Sequence, residues 1–219
     1  MPPTNPPRRD LLAGARLCLL ATRRVSRRPL AEAVAAALRG GVRLVQVREK
    51  EAPDDVVLAV ARDLAAVVRE AGGLLLVNDR VEVAREAGAD GVHLGPEDMD
   101  PREARRLLGP DLLIGATTHD LAQANRAASA GADYVGIGPV FPTRTKGVPI
   151  RVIGPEAAGR VARAVRLPAF AIGGIGPGNA GRVRAAGCDR AAVCAGILAA
   201  DDPEAAAREI LAALTSSGA

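Results

Sequence analysis

The chain has 219 residues, with 29 Lys+Arg against 25 Asp+Glu and a formal net charge of +4. Its 48% hydrophobic and 25% charged residues suit an ordinary soluble globule, and no run of about 18 apolar residues could cross a bilayer. One Tyr, two Phe and no Trp leave almost no platform for stacked bases, so the basic balance reads as arginine on solvated faces or as attraction for an anionic small molecule, and nucleic acid is not the expected partner.

The N-terminal stretch MPPTNPPRRD is proline-rich and has no continuous apolar segment of signal-peptide type. Residues 1–10 are therefore expected to be a disordered tail and residues 11–219 a single domain, with the cytoplasm as the compartment. Self-association into a homo-oligomer is left open. Cys18, Cys188 and Cys194 lack CxxC spacing and read as small buried apolar residues.

Short apolar runs at 17–22, 44–48, 74–78, 91–94, 112–116, 134–138, 169–172 and 191–194 predict strands covered on both faces. Helical patterns separate them. Leu30, Val34 and Leu38 form a stripe that stops at Gly40 and Gly41, and Val57, Val60, Leu64 and Val67 form a second. Asp54 and Asp55 suit a helix start, Gly72 and Gly73 a helix end, and DDPE near Pro203 a capped last helix. EAGADGVHLG (86–95), SAGADYVGIG (129–138) and AAGCDRAAVC (185–194) repeat one helix-to-strand connection. The alternation predicts an α/β fold, a closed (β/α)8 TIM barrel, whose active site lies at the carboxyl ends of the strands.

The scarce polar residues gather at those ends. In QVREK, Gln46, Arg48 and Lys50 alternate and so share one face while the strand persists. Asn78 and Asp79 end the third strand, and Asp98 follows the fourth in HLGPED; helix capping is the competing explanation for each. Two carboxylates on neighbouring loops, with waters and a diphosphate, suit Mg2+. GATTH offers Thr117, Thr118 and His119 as a hydroxyl contact and a ring, or as a capped turn. The sixth strand runs into GPVFPTRTK, where Thr143, Thr145 and Lys146 form a phosphate-binding set. Only two lysines occur, Lys50 and Lys146, and both follow strands. Gly173 and Gly174 in AIGGIGPGN, with the amides of Cys194 and Ala195 in VCAG, complete a second anion zone.

These motifs, one per strand and in order, resemble the thiamine-phosphate synthase family over nearly the whole chain. The resemblance implies coupling of a hydroxymethylpyrimidine diphosphate to a thiazole phosphate, with Mg2+ and loss of pyrophosphate. It implies that Gln46, Val47, Arg48, Glu49, Lys50, Asn78, Thr117 and Lys146 hold the pyrimidine diphosphate, with Arg48, Lys50 and Lys146 catalytic. Thr143, Arg144, Thr145, Gly174, Cys194 and Ala195 would hold the thiazole phosphate, and Asp79 and Asp98 the metal. Ala195 and Thr117 stand where the family usually has serine, and Pro96 where it often has glutamine. The rival readings are a thiazole tautomerase on the same barrel and a non-catalytic phosphate-binding barrel.

Overall fold

A computed structural model describes residues 7–143 and 151–216. Helix α1 (Arg8–Gly14) leads into β1 (Leu17–Ala21), α2 (Leu30–Arg39), β2 (Leu44–Val47) and α3 (Asp54–Glu70). Then come β3 (Leu74–Asn78), α4 (Val81–Glu86), β4 (Gly91–Leu94), α5 (Pro101–Leu108), β5 (Leu113–Thr118) and α6 (Leu121–Ser129). The chain continues through β6 (Tyr134–Ile137), α7 (Pro155–Ala164), β7 (Ala169–Ile172), α8 (Ala180–Ala185) and β8 (Ala191–Val193), and ends with α9 (Ala195–Leu198) and α10 (Pro203–Thr215). All strands are parallel and the sheet closes, with β8 pairing β1 through Leu17↔Ala191 and Leu19↔Val193. The expected barrel is therefore the observed one.

Strand residues such as Leu19, Leu44, Leu76, Val92, Ile114 and Val135 are fully covered. Alanines dominate the inner faces of the helices: Ala33, Ala37, Ala61, Ala84 and Ala124 have no exposure, which lets the helix backbones lie close to the sheet. Val57, Val60 and Leu64 point inward in α3 as expected, but Val68, not Val67, is the next fully covered position. Asp54 and Asp55 lie in the first turn of α3 without making a cap hydrogen bond. Asp202 does cap α10, accepting from the amides of Glu204 at 2.9 Å and Ala205 at 3.1 Å, with Pro203 at the first turn. β5 runs on to Thr118, beyond its expected end, because Thr117↔Gly136 and Thr118↔Ile137 continue the ladder with β6. Among the described residues no helix is long and apolar enough to cross a membrane.

Residues 8–10 of the expected tail are helical, since α1 begins at Arg8; residues 1–6 lie outside the described residues. The arginines of α1 are held by the repeated Gly-Ala-Asp connection. Asp90 accepts from the Leu75 amide with one oxygen, at 2.9 Å, and from Arg8 Nε with the other, at 2.8 Å. Asp133 does the same, accepting from the Ile114 amide and from Arg9 Nε, each at 2.8 Å, and also meets Arg105 Nη2 at 2.6 Å. Each aspartate thus satisfies a strand-start amide and pins α1 across the end of the barrel opposite the carboxyl ends. Asp133→Ala leaves the Ile114 amide and Arg105 without this partner. It should destabilise the protein by roughly 1–3 kcal/mol in urea denaturation, while ligand binding at the far end of the folded protein stays unchanged.

Candidate active site

Gln46, Asn78 and His93 are buried polar residues inside the barrel, with Tyr134 beside them. Burying such groups requires partners. Gln46 Nε2 donates to Asn78 Oδ1 at 2.6 Å. His93 Nδ1 lies 2.8 Å from the Tyr134 hydroxyl, and Nε2 lies 2.9 Å from Thr117 Oγ1. Thr118 turns back to the Gly136 carbonyl at 3.1 Å, and His119 Nδ1 donates to the Gly138 carbonyl at 2.5 Å. Of the GATTH residues, then, Thr117 alone is delivered to the open mouth; the cap of α6 is Asp120.

On one side of the mouth an acid pair meets a lysine. Asp79 has φ +65°, a left-handed conformation that aspartate tolerates better than most residues. This turn sends its carboxylate to Asp98, with which it shares a hydrogen bond, and to Lys50 Nζ at 3.5 Å. Neither aspartate is a helix cap. The cap position of α4 is Arg80, which makes no side-chain cap bond, and that of α5 is Asp100, which accepts from the Arg102 amide at 2.8 Å. Asp98 instead accepts from the Gly95 amide at 2.6 Å. Arg80 Nη2 holds the Lys50 carbonyl at 3.3 Å and so fastens the lysine's turn to the next loop.

Burial, the Asp98 hydrogen bond and the Asp98 charge push the Asp79 carboxyl up to about 6 against the pull of Lys50. Burial also acts against ionised Asp98, but the hydrogen bonds from Asp79 and the Gly95 amide, with the charge of Lys50, hold it below its usual value. Asp79 therefore keeps its proton to higher pH than an ordinary carboxyl, and two hard oxygen donors lie side by side. Among the described residues no group of three or more His, Cys, Asp or Glu side chains could hold a metal. The pair fits a cation that takes one or two carboxylates and draws its other ligands from water and substrate, as Mg2+ does.

On the other side is a cavity of about 420 Å³ between the carboxyl ends of β6, β7 and β8. Gly173 and Gly174, with φ +104° and +64°, shape its wall. A Cβ at Gly173 would stand 2.5 Å from the Pro139 side chain, and one at Gly174 would stand 2.4 Å from the Pro142 carbonyl. Glycine is thus needed for two loops to pack together as well as to bring backbone to the cavity. Asn179 pins the turn, donating to the Gly174 carbonyl and accepting from the Gly176 amide, each at 2.9 Å. Thr143, Cys194 and Ala195 also line this cavity. Burial pushes the Cys194 thiol up to about 11 despite the nearby Arg48 and Arg24, so it forms wall and is no nucleophile. Arg48 lies in the same lining and interacts electrostatically with both Cys194 and Asp79. It therefore spans the two anion zones.

Two sequence-based assignments change. Val47 is fully covered in the core between sheet and helices, so its side chain cannot touch a ligand in the mouth. Glu49 turns to the preceding loop, where it accepts from the Arg23 amide at 2.6 Å and meets Arg23 Nε at 3.4 Å. β2 ends at Val47, so the alternation of Gln46, Arg48 and Lys50 holds only for the first two, and Lys50 reaches Asp79 from the turn. Arg144, Thr145 and Lys146 lie outside the described residues. Asn179, His93 and Tyr134 were not assigned to the site from sequence. Asn179 follows the Gly176-Pro177 turn and His93 lies near the end of a strand, which marked their positions but not their partners.

The sequence pattern described as thiamine monophosphate synthase matches residues 17–197. A thiamine-phosphate synthase of Anaeromyxobacter dehalogenans is 49% identical over 191 residues, which cover 87% of this chain and 85% of that protein. One from Synechococcus sp. strain WH7803 is 46% identical over 210 residues, covering 95% of this chain but 59% of the longer relative. Among solved structures, a thiamine phosphate pyrophosphorylase from Pyrococcus furiosus superposes with TM-score 0.83 at 38% identity, covering 94% of this chain and 96% of that one.

The acid pair makes a testable prediction. A carboxyl raised in the fold favours the folded state below its unfolded value, near 3.8, and that stability is lost as pH rises through about 6. Without divalent cation, Asp79→Asn should therefore stabilise the protein at pH 8, by roughly 1–3 kcal/mol, and have little effect near pH 4. Asparagine also tolerates the left-handed backbone. Added Mg2+ should raise the thermal midpoint of the unmodified protein and not that of the variant.

Proposed function

The chain belongs to the thiamine monophosphate synthase family, transferases of thiamine biosynthesis, and we propose that it joins 4-amino-2-methyl-5-hydroxymethylpyrimidine diphosphate to 4-methyl-5-(2-phosphoethyl)thiazole or its carboxylated form, releasing pyrophosphate. The observation that carries this reading is the meeting, at one barrel mouth, of an acid pair with its lysine and a glycine-walled cavity, bridged by Arg48. A diphosphate with a hard cation suits the first, and a phosphate-bearing acceptor suits the second. A tautomerase expels no diphosphate and would have no use for the first zone. Cytoplasmic location belongs to the same reading.

Gln46 and Asn78 fix each other inside the barrel, which leaves further amide donors and acceptors for the aminopyrimidine ring. Thr117 lines the same mouth. Asp79 and Asp98 would hold Mg2+, which when bound adds positive charge against the departing diphosphate. Arg48, Lys50 and Lys146 neutralise the negative charge that grows on that group as its bond to the methylene carbon breaks. The electron-rich aminopyrimidine spreads the positive charge left on the methylene. The thiazole nitrogen then attacks, held in line by its phosphate among Thr143, Arg144, Thr145, Gly174 and the amides of Cys194 and Ala195. No proton has to leave the attacking nitrogen, so the reaction needs no general base. This agrees with a site built of cations and fixed dipoles, in which Cys194 stays a thiol.

Supplied with both substrates, the purified protein should release pyrophosphate only when Mg2+ is present. Release unaffected by chelation, or none with Mg2+, overturns the reading. Lys146→Ala should lower turnover roughly 10²–10³-fold, the usual loss for a donor that acts in the transition state; turnover at the unmodified rate would remove Lys146 from the site.

A further inference from the structure

Asn78, His93, Gly115 and Tyr134 lie in one register row across β3, β4, β5 and β6. The gap at Gly115 is what lets the side chains of the two flanking strands meet. A Cβ there would stand 2.1 Å from Tyr134 Cζ and 2.4 Å from its hydroxyl. With glycine in place, the tyrosine ring crosses β5 and its hydroxyl comes to 2.8 Å from His93 Nδ1. The other ring nitrogen lies 2.9 Å from Thr117 Oγ1. The chain of contacts thus runs from a fully buried phenol to the one threonine of the fifth strand that lines the cavity.

Direction in this chain follows from counting donors and acceptors. The Tyr134 hydroxyl is buried, and among the described residues its hydrogen-bond partner is His93. If its proton were not given to Nδ1, a donor would be buried unsatisfied, at a cost on the order of 1–3 kcal/mol. Nδ1 therefore accepts, and the proton of the neutral ring resides on Nε2. Nε2–H then donates to Thr117 Oγ1, and the threonine's own proton is left for an acceptor in the mouth. His119 has the opposite arrangement, since a carbonyl can only accept and Nδ1 must carry the proton toward Gly138.

We propose that Tyr134 and His93 are positioning residues that hold Thr117 as an obligate hydrogen-bond donor toward the bound substrate, selecting a heteroaromatic ring that presents an unprotonated nitrogen at that point. Identifying that ring as the pyrimidine rests on the function proposed above; the direction of the relay does not. A threonine hydroxyl by itself can rotate to donate or accept. Locked from behind by Nε2–H, it donates only, and a ring carrying an N–H in that place would meet no acceptor.

Nitrogen-15 NMR of the full-length protein near pH 7.5 tests the relay without turnover. The chain has two histidines, and His119→Gln assigns their signals. His93 should show the Nε2–H tautomer and His119 the Nδ1–H tautomer; an Nδ1–H tautomer at His93 overturns the proposal. Tyr134→Phe should mix the His93 tautomers. In kinetics, Thr117→Val should raise KM for the pyrimidine diphosphate about tenfold, the worth of one hydrogen bond, with a smaller change in kcat, and Thr117→Ser should restore it. Tyr134→Phe should raise KM severalfold alone and add nothing in the Thr117→Val background. Independent, additive losses would show that Tyr134 acts through general packing and not through Thr117. Absence of turnover in the unmodified protein would defeat the proposed reaction while leaving the NMR result to decide the relay.

Discussion

In the closed ring β8 pairs with β1, so every strand has neighbours for its backbone groups and all carboxyl ends open to the same side. Closure has two chemical consequences. Residues distant in sequence, such as Arg48 and Cys194, are brought within electrostatic reach. A polar side chain that points inside also has no solvent to fall back on, so it must find another inward-pointing partner. Gln46 with Asn78, and His93 with Tyr134 and Thr117, are those partners. The polar half-layer they form stands just beneath the mouth, where a ligand can take up the bonds they leave over.

Charge is distributed around that mouth with the same economy. Two carboxylates at hydrogen-bond distance resist full ionisation, and Lys50 only partly relieves them. Such a pair is unfavourable in an empty protein and favourable around a cation, which is the arrangement expected where function is set against stability. Across the mouth the wall is largely backbone at glycine-rich turns, which has no side-chain rotamers to freeze when a ligand enters. Arg48 belongs to both sets of neighbours. It is the described residue that links the cavity wall at Cys194 to the acid pair at Asp79.

The opposite end of the barrel uses aspartate differently. Asp90 and Asp133 each take one strand amide and one arginine of α1, so the carboxylates there are fully engaged in holding the fold. Stability chemistry and binding chemistry are in this way separated by the length of a strand. A change in the α1 clamp should be felt in denaturation, and one at Asp79 in cation binding.

The eight strands, their order and the end at which polar residues collect were legible in the sequence, because short apolar runs and glycine stops reflect local rules of burial and turn formation. The repeated Gly-Ala-Asp likewise announced its connection, though not that its aspartates would hold α1. Arg8–Asp10 read as tail because proline-rich sequence before them masked a short helix whose stability comes from distant Asp90 and Asp133. Val47 and Glu49 sat within a recognisable motif, yet strand alternation buries one and the preceding loop captures the other. His93 was visible as a rare residue at a strand end. That it faces Tyr134, two strands away, depends on Gly115 leaving room on the strand between, and that it controls Thr117 depends on the register of β4, β5 and β6. The sequence by itself determined the barrel and the inventory of its mouth, since these follow from periodicity along the chain. The tertiary structure alone decided which polar groups share a proton, because hydrogen bonds across a barrel are set by strand register and steric gaps that no single segment contains.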